Sequence, residues 1–188
     1  MALLIMASAA VPNAAMAQAS AIPANVQVQL FSKIWMFDRS IAENDLIVMA
    51  VLYQSTFHAS EEGKDQLVEA VRAGRFKIRC VPVALDDVGN VVKTLEHVKA
   101  DVFYVTEMRG VSILDVVRVS RARHIKTITA VAGYVEGGVA IGLRVLDDKP
   151  VILVNLRAAK AEGSDLTAQL LRFSTVIDGV AGSNGANQ

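Results

Sequence analysis

Cysteine is almost missing from this chain of 188 residues: Cys80 is the only one, so no disulfide can form within a single copy. It lies in Phe76-Lys77-Ile78-Arg79-Cys80-Val81, a strand-like run where a thiol behaves as a small buried hydrophobe. Histidine is scarce too. His58, His97 and His124 fall on three separate segments with no second histidine or cysteine at ligand spacing, which argues against a zinc site. Surplus charge is also lacking, with 19 Lys and Arg against 19 Asp and Glu. Nucleic acid and anionic membranes both select for excess positive charge, so neither is an expected partner.

The usual signatures of chemistry are absent as well. A phosphate is cradled where a glycine-rich turn feeds a helix, but Gln54-Ser55-Thr56-Phe57-His58 has no glycine and Gly137-Gly138 leads into a strand. The Walker spacing does not occur, so no cofactor is expected. No G-x-S-x-G occurs either; Ser112, after Arg109-Gly110-Val111, comes nearest and reads as a first-turn helix residue. The acidic pairs Asp86-Asp87 and Asp147-Asp148 sit at a strand exit and a turn, positions where aspartate serves turn geometry and capping. Arg118, Arg121, Arg123, His124 and Lys126 cluster at a helix end, where cations are favoured by the helix dipole. No catalytic residue, cofactor-binding residue or metal ligand is nominated, and the chain reads as a non-enzyme.

Uncharged residues dominate the beginning. Met1 to Ala17 contains the apolar run Ala2 to Met6 and ends in Ala15-Met16-Ala17, the pattern of a signal peptide cleaved near Ala17, although no Lys or Arg precedes the run. Pro12, Asn13 and Gln18 interrupt it well short of the roughly 20 apolar residues that a membrane span needs. The expected organisation is a signal peptide over 1–17, one α/β domain over 18–178, and a small polar tail over 179–188 that is disordered.

Within the domain, Val26, Leu30, Ile34, Phe37 and Ile41 recur at helical intervals, with Phe31 and Trp35, the only tryptophan, beside the stripe. Short β-branched runs then alternate with amphipathic stretches. Strands are expected over 46–53, 76–85, 101–106 and 126–131, and helices over 61–73, 88–98 and 111–123. Strict alternation implies parallel strands with helices on both faces of the sheet, resembling a flavodoxin-like or Rossmann-like half. Val139, Ile141, Leu143 and Val145 alternate with smaller or polar residues, Asp147-Asp148-Lys149-Pro150 makes a four-residue loop, and Val151 to Leu156 completes an antiparallel hairpin. Gly163-Ser164 opens a last helix, with Ser164 as N-cap and Leu166, Leu170, Phe173 and Ile177 on one face. The fold class is thus α/β: one three-layer domain whose mixed sheet ends in that hairpin.

The stretch from Gly137 to Ile177 resembles a known family. Gly137-Gly138-Val139-Ala140-Ile141-Gly142 leading into a hairpin, the strand end Val154-Asn155-Leu156, the Ala-rich turn Ala158 to Gly163 and Leu170-Leu171 together look like the C-terminal signature of the YfiR/HmsC-like proteins. Gly137 and Gly138 are expected to take backbone angles that other residues avoid, and Asn155 to bond the turn that begins at Arg157. The resemblance implies a periplasmic regulator that binds the periplasmic domain of an inner-membrane signalling protein, a diguanylate cyclase or a sensor kinase. Cyclic di-GMP signalling and biofilm formation would follow from it, and a homodimer is compatible with it. Family members with cysteine pairs respond to redox state, a route that the single Cys80 does not offer.

Aromatic and arginine side chains are enriched where proteins bind one another, so Trp35, Phe37 and Arg39 are the nominated partner-binding residues, and Gly137, Gly138, Asn155 and Gly163 the nominated structural ones. An alternative is a small-ligand-binding module in the crevice at the carboxyl ends of the strands, near Gln54 to His58 and Glu107 to Gly110. An unrecognised hydrolase would need Ser112 or an acidic pair beside His58 or His124. The export signal makes a direct prediction: intact-mass analysis of the protein recovered from the periplasm should show a chain that begins at Gln18.

Overall fold

The computed structural model describes residues 22–41 and 46–177. The expected signal peptide over 1–17 and the tail over 179–188 lie outside them. The elements run α1 (Ala24–Trp35), β1 (Ile47–Tyr53), α2 (His58–Gly74), β2 (Ile78–Ala84), α3 (Val91–Glu96), β3 (Val102–Val105) and α4 (Ile113–Arg123). Then follow β4 (Lys126–Thr129), α5 (Ala132–Glu136), β5 (Ile141–Leu146), β6 (Lys149–Asn155), α6 (Leu156–Ala161), α7 (Ala168–Arg172) and β7 (Ser174–Ile177). Seven strands form one sheet in the order β2-β1-β3-β4-β5-β6-β7. The first five are parallel, β6 runs antiparallel to β5, and β7 is parallel to β6. The parallel part has the doubly wound 2-1-3-4-5 order.

The central strands explain that arrangement. Every residue of β3, Val-Phe-Tyr-Val, is buried, and β1 buries Ile47, Met49, Ala50, Val51 and Leu52. A strand that is apolar on both faces needs cover on both. One layer comes from Val28, Phe31, Ile34 and Trp35 of α1, Leu67 and Val71 of α2, Ala158 and Ala159 of α6 and Leu170 of α7. The other comes from Val91 and Leu95 of α3 with Val116 and Val119 of α4. Phe31 meets Tyr104 edge to face, ring centres 6.0 Å apart, and the Tyr104 hydroxyl donates to Gln27 Oε1 at 2.7 Å. Each such fully buried large side chain contributes about 1.5–3 kcal/mol.

Several sequence expectations need correcting. The buried face of α1 centres on Val28, Phe31, Ile34 and Trp35, while Val26 and Leu30 are only half-buried, and the helix ends at Trp35. Phe37 and Ile41 pack on the core from the turn that follows. The helix expected over 88–98 is shortened to Val91–Glu96, because Asp87 accepts from the Gly89 N–H and the Asn90 side chain and so holds a turn before it. Ser112 precedes α4 as its N-cap residue and is not in its first turn. The hairpin loop has two residues, not four: Asp147 and Asp148 have φ of 49° and 57°, the paired left-handed geometry of a type I′ turn.

The largest departure is at the C-terminal end. The Ala-rich turn expected before Gly163 is the helix α6; in place of one helix from Ser164 the chain makes a loop, the short α7 and then β7, and Thr167 caps α7 instead of Ser164. Ser174-Thr175-Val176-Ile177 is rich in β-branched residues and pairs with β6, while Phe173 is 72% exposed. The apolar spacing of Leu166, Leu170 and Ile177 is satisfied by a mixed segment.

A buried carboxylate fastens this region. Glu162, just after α6, accepts from Thr127 N–H at 2.8 Å, Thr127 Oγ1 at 2.7 Å and Ser120 Oγ at 3.0 Å, which joins α6 to β4 and α4. Burial pushes its carboxyl up to about 7, against the bonds from Thr127 and Ser120 and the nearby Arg121. The folded form therefore holds a proton that the unfolded chain has already released, and its stability falls as pH rises from the ordinary carboxylate value of 4.5 through about 7. Denaturant midpoints measured from pH 5 to pH 8 should fall across that interval. The slope should flatten in Glu162→Gln, whose amide can accept from Thr127 and donate to the hydroxyls.

Candidate interaction surface

The nominated partner-binding residues stand at the end of α1. Trp35 is its last residue and is only 6% exposed, so its ring is mainly part of the core. Phe37 is half-buried against the same core. Two residues face outward: Met36, 76% exposed, and Arg39, whose guanidinium lies 3.8 Å from the Asp165 carboxylate. A partner approaching this end of the helix meets Met36 and Arg39 first, with Trp35 and Phe37 behind them.

What holds the surface in place is Asp38, 3% exposed. Its Oδ1 accepts from the Ser40 N–H at 3.0 Å, the Ser40 hydroxyl at 2.6 Å and the Asp165 N–H at 2.9 Å. Two backbone bonds flank it: Arg39 N–H donates to Asp165 O at 3.0 Å, and Thr167 N–H donates to Phe37 O at 2.9 Å. The N-terminal helix is thereby stitched to the segment between α6 and α7, and Ser164 joins the bonding around Asp38. Burial by itself would raise the Asp38 pKa, but the bonds from Ser40, Asp165 and Ser164 outweigh it and hold the carboxyl below its ordinary 3.8.

The structural residues fall on one neighbourhood. Asn155 caps α6, its Oδ1 accepting from Ala158 N–H at 3.0 Å, and its Nδ2 donates to Val135 O in α5 at 3.0 Å. The expected bond to the following turn is present. Gly138 has φ of 111°, and a Cβ there would meet the Arg121 guanidinium at 2.9 Å; that guanidinium donates to the Gly138 carbonyl. Gly163 has φ of 83° beside His124. Gly137 is a correction: its φ of −72° is open to any residue, so only the second glycine of the pair is needed for its backbone angle. Gly142 was not singled out, yet a Cβ there would run into Val135 Cγ2.

The crevice between β1 and β3 is stitched by the chain itself. Gln54 Oε1 accepts from the Arg109 N–H, the Arg109 guanidinium lies 4.2 Å from the Phe57 ring centre, and Tyr134 bonds both the N–H and the carbonyl of Met108. Ser60 Oγ bridges the Gln54 N–H and Thr106 Oγ1. His58 is highly exposed and lies within 3.8 Å of Glu62. His124 ends α4 in a left-handed conformation. Asp86 accepts from the Ser55 hydroxyl and N–H, bonds that hold its pKa below the ordinary value, and Asp147 and Asp148 form the hairpin tip. Cys80 is half-buried on the edge strand β2, and burial pushes its thiol up to about 11, so it stays protonated at neutral pH.

Sequence reasoning missed Asp38. Its partner Asp165 is 127 residues away, and no local pattern announces such a bond. Asp38→Ala should lower the unfolding free energy by at least about 2 kcal/mol, because it strips charged hydrogen bonds from buried groups. In the unaltered protein the stabilisation from Asp38 should be complete above about pH 5, well above the ordinary value of 3.8, and fade as pH falls through its depressed pKa. Urea titrations of both proteins at pH 7 and pH 3 check this.

A family model described as YfiR/HmsC-like matches residues 47–175, from β1 into β7. No curated protein matches the sequence. Solved structures share the fold. A conserved domain protein from Vibrio cholerae O1 biovar El Tor is 15% identical with a TM-score of 0.67, over 82% of this chain and 60% of its own. A protein described as an ABC domain in complex with L-Trp, from Streptococcus pneumonia, is 14% identical with a TM-score of 0.65, over 82% and 62%. A ligand-free, open substrate-binding protein with adhesive properties from Clostridium difficile is 17% identical with a TM-score of 0.63, over 81% and 59%. This chain thus spans about three-fifths of the length of these structures. At such identities they establish the α/β fold, whereas the family model covers six strands and the start of the seventh, and the chain belongs to the YfiR/HmsC-like family.

Proposed function

We propose that this protein is a periplasmic, non-enzymatic regulator that binds the periplasmic domain of an inner-membrane signalling protein, a diguanylate cyclase or a sensor kinase, and controls its activity. The observation that carries the reading is membership of the YfiR/HmsC-like family across residues 47–175. Changes in cyclic di-GMP and in biofilm formation are the expected consequences. Export by the segment ending near Ala17 puts the chain in the compartment where such a domain is exposed. Among the described residues no helix is long and apolar enough to cross a membrane.

The surface we assign to the partner is the end of α1. Trp35 and Phe37 give it a rigid apolar base, and Met36 and Arg39 project from it. Such a pairing of an apolar contact with a planar cation suits a protein partner. The Asp38 bonds fix the loop that presents it, which lowers the ordering cost on association.

Tagged protein over residues 18–188, incubated with solubilised inner membranes, should retain a cyclase or kinase that has a periplasmic domain. The double variant Met36→Asp, Arg39→Glu leaves the core untouched and should weaken that retention by at least about 30-fold, the loss expected for hot-spot residues. Retention of no such protein by folded bait would overturn the reading. Equal retention by the variant would move the contact away from α1. Trp35→Ala is a poor substitute, because removing a buried aromatic costs about 3–5 kcal/mol of folding stability by itself.

A further inference from the structure

Beneath the end of α1, where β1 and β2 begin, lies a cavity of about 360 Å³, within the range of small-molecule sites. Ile41, Ile47, Phe76 and Ile78 make its apolar wall, and Arg39 and Lys77 bring positive charge to it. Asp38 also lines it, but the Asp38 carboxylate is already engaged by Ser40 and Asp165.

Two further lining residues, Ser32 and Trp35, distinguish it from an ordinary packing defect. Ser32 Oγ and Trp35 Nε1 are both buried and have no hydrogen-bond partner among the described residues. Buried polar side-chain atoms are nearly always paired, so two orphans in one wall call for an explanation. An indole N–H can only donate, so its missing partner is an acceptor. A hydroxyl can donate to the same group.

We propose that this cavity binds a small apolar monocarboxylate, whose hydrocarbon part packs on Ile41, Ile47, Phe76 and Ile78 and whose carboxylate accepts from Trp35 Nε1 and Ser32 Oγ. Both donors are closed to water, so the wall adjusts around the ligand as these bonds form. The selection rests on the two donors, which call for an acceptor, while Arg39 and Lys77 stand on the wall with one ionised carboxylate, Asp38. The site lies at the amino ends of the strands, at the opposite end of the sheet from the crevice between Gln54 and Arg109. It does not depend on the regulator reading. Its location next to Met36 and Arg39 would make ligand occupancy visible at the partner-binding surface.

Trp35 is the only tryptophan, so it reports on its own cavity. Titrating the full-length protein with octanoate should change the tryptophan emission saturably, and octylamine, with the same chain and the opposite charge, should not. By calorimetry, Trp35→Phe keeps the aromatic bulk without the donor and should weaken octanoate binding about tenfold, and Ser32→Ala should also weaken it. Absence of a saturable response to octanoate, an equal response to octylamine, or unweakened binding by both folded variants would each overturn the proposal. A failed membrane pull-down with intact octanoate binding would reject the regulator and leave the site standing.

Discussion

The central strands of this protein are apolar on both faces, and most of its architecture follows from covering them. A parallel strand pair needs a crossover, and a right-handed crossover helix lands on a definite face of the sheet. The path β1-α2-β2 therefore covers one face and β3-α4-β4 the other. Residues 22–41 add α1 to the first face, where Phe31 packs on Tyr104, and α6 and α7 complete that layer from the other end of the chain. This face depends on segments from both ends of the domain, and the polar bonds that join them are accordingly few and specific.

One buried carboxylate, Asp38, makes that joint, and a second, Glu162, ties α6 to β4 and α4. Asp38 receives N–H and O–H donors and is held ionised by them; Glu162 receives similar donors but sits deeper, where desolvation dominates and favours the proton. The contrast is physical: the same side-chain chemistry is pushed in opposite directions by the balance between burial and donors. Both carboxylates fix irregular segments that have little periodicity of their own. Asp38 sets the loop beyond α1, and Glu162 sets the turn beyond α6, so the C-terminal framework and the candidate surface each rest on one such residue.

The family match begins at β1, and Trp35, Phe37 and Arg39 lie before it. The shared framework supplies a rigid sheet, whereas the end of α1 belongs to a segment attached to that sheet by Asp38 and by core packing. The crevice where doubly wound sheets usually hold ligands is bridged here by bonds among Gln54, Arg109, Ser60 and Thr106.

Periodicity and turn chemistry determined by themselves the strand order from β1 to β6 with α2, α3 and α4 between the first four strands, the two-sided burial of the sheet, and the bond from Asn155 to the segment after it; α5 left no such signal. These are local properties, written in spacing or in single residues with special conformations. Gly137 was indistinguishable from its neighbour in sequence, because only the backbone path decides which of two adjacent glycines turns left. The last helix, expected from Ser164, dissolved into α7 and β7 because apolar residues spaced three or four apart satisfy a short helix and an edge strand equally well, and pairing with β6 decided between them. Trp35 read as a residue beside the helical stripe and proved to be at its centre, since the face that is buried depends on where the sheet lies. Asp38, Glu162 and the cavity under α1 belong wholly to the tertiary structure. Each is made by residues far apart in the chain, and no window of sequence holds both partners.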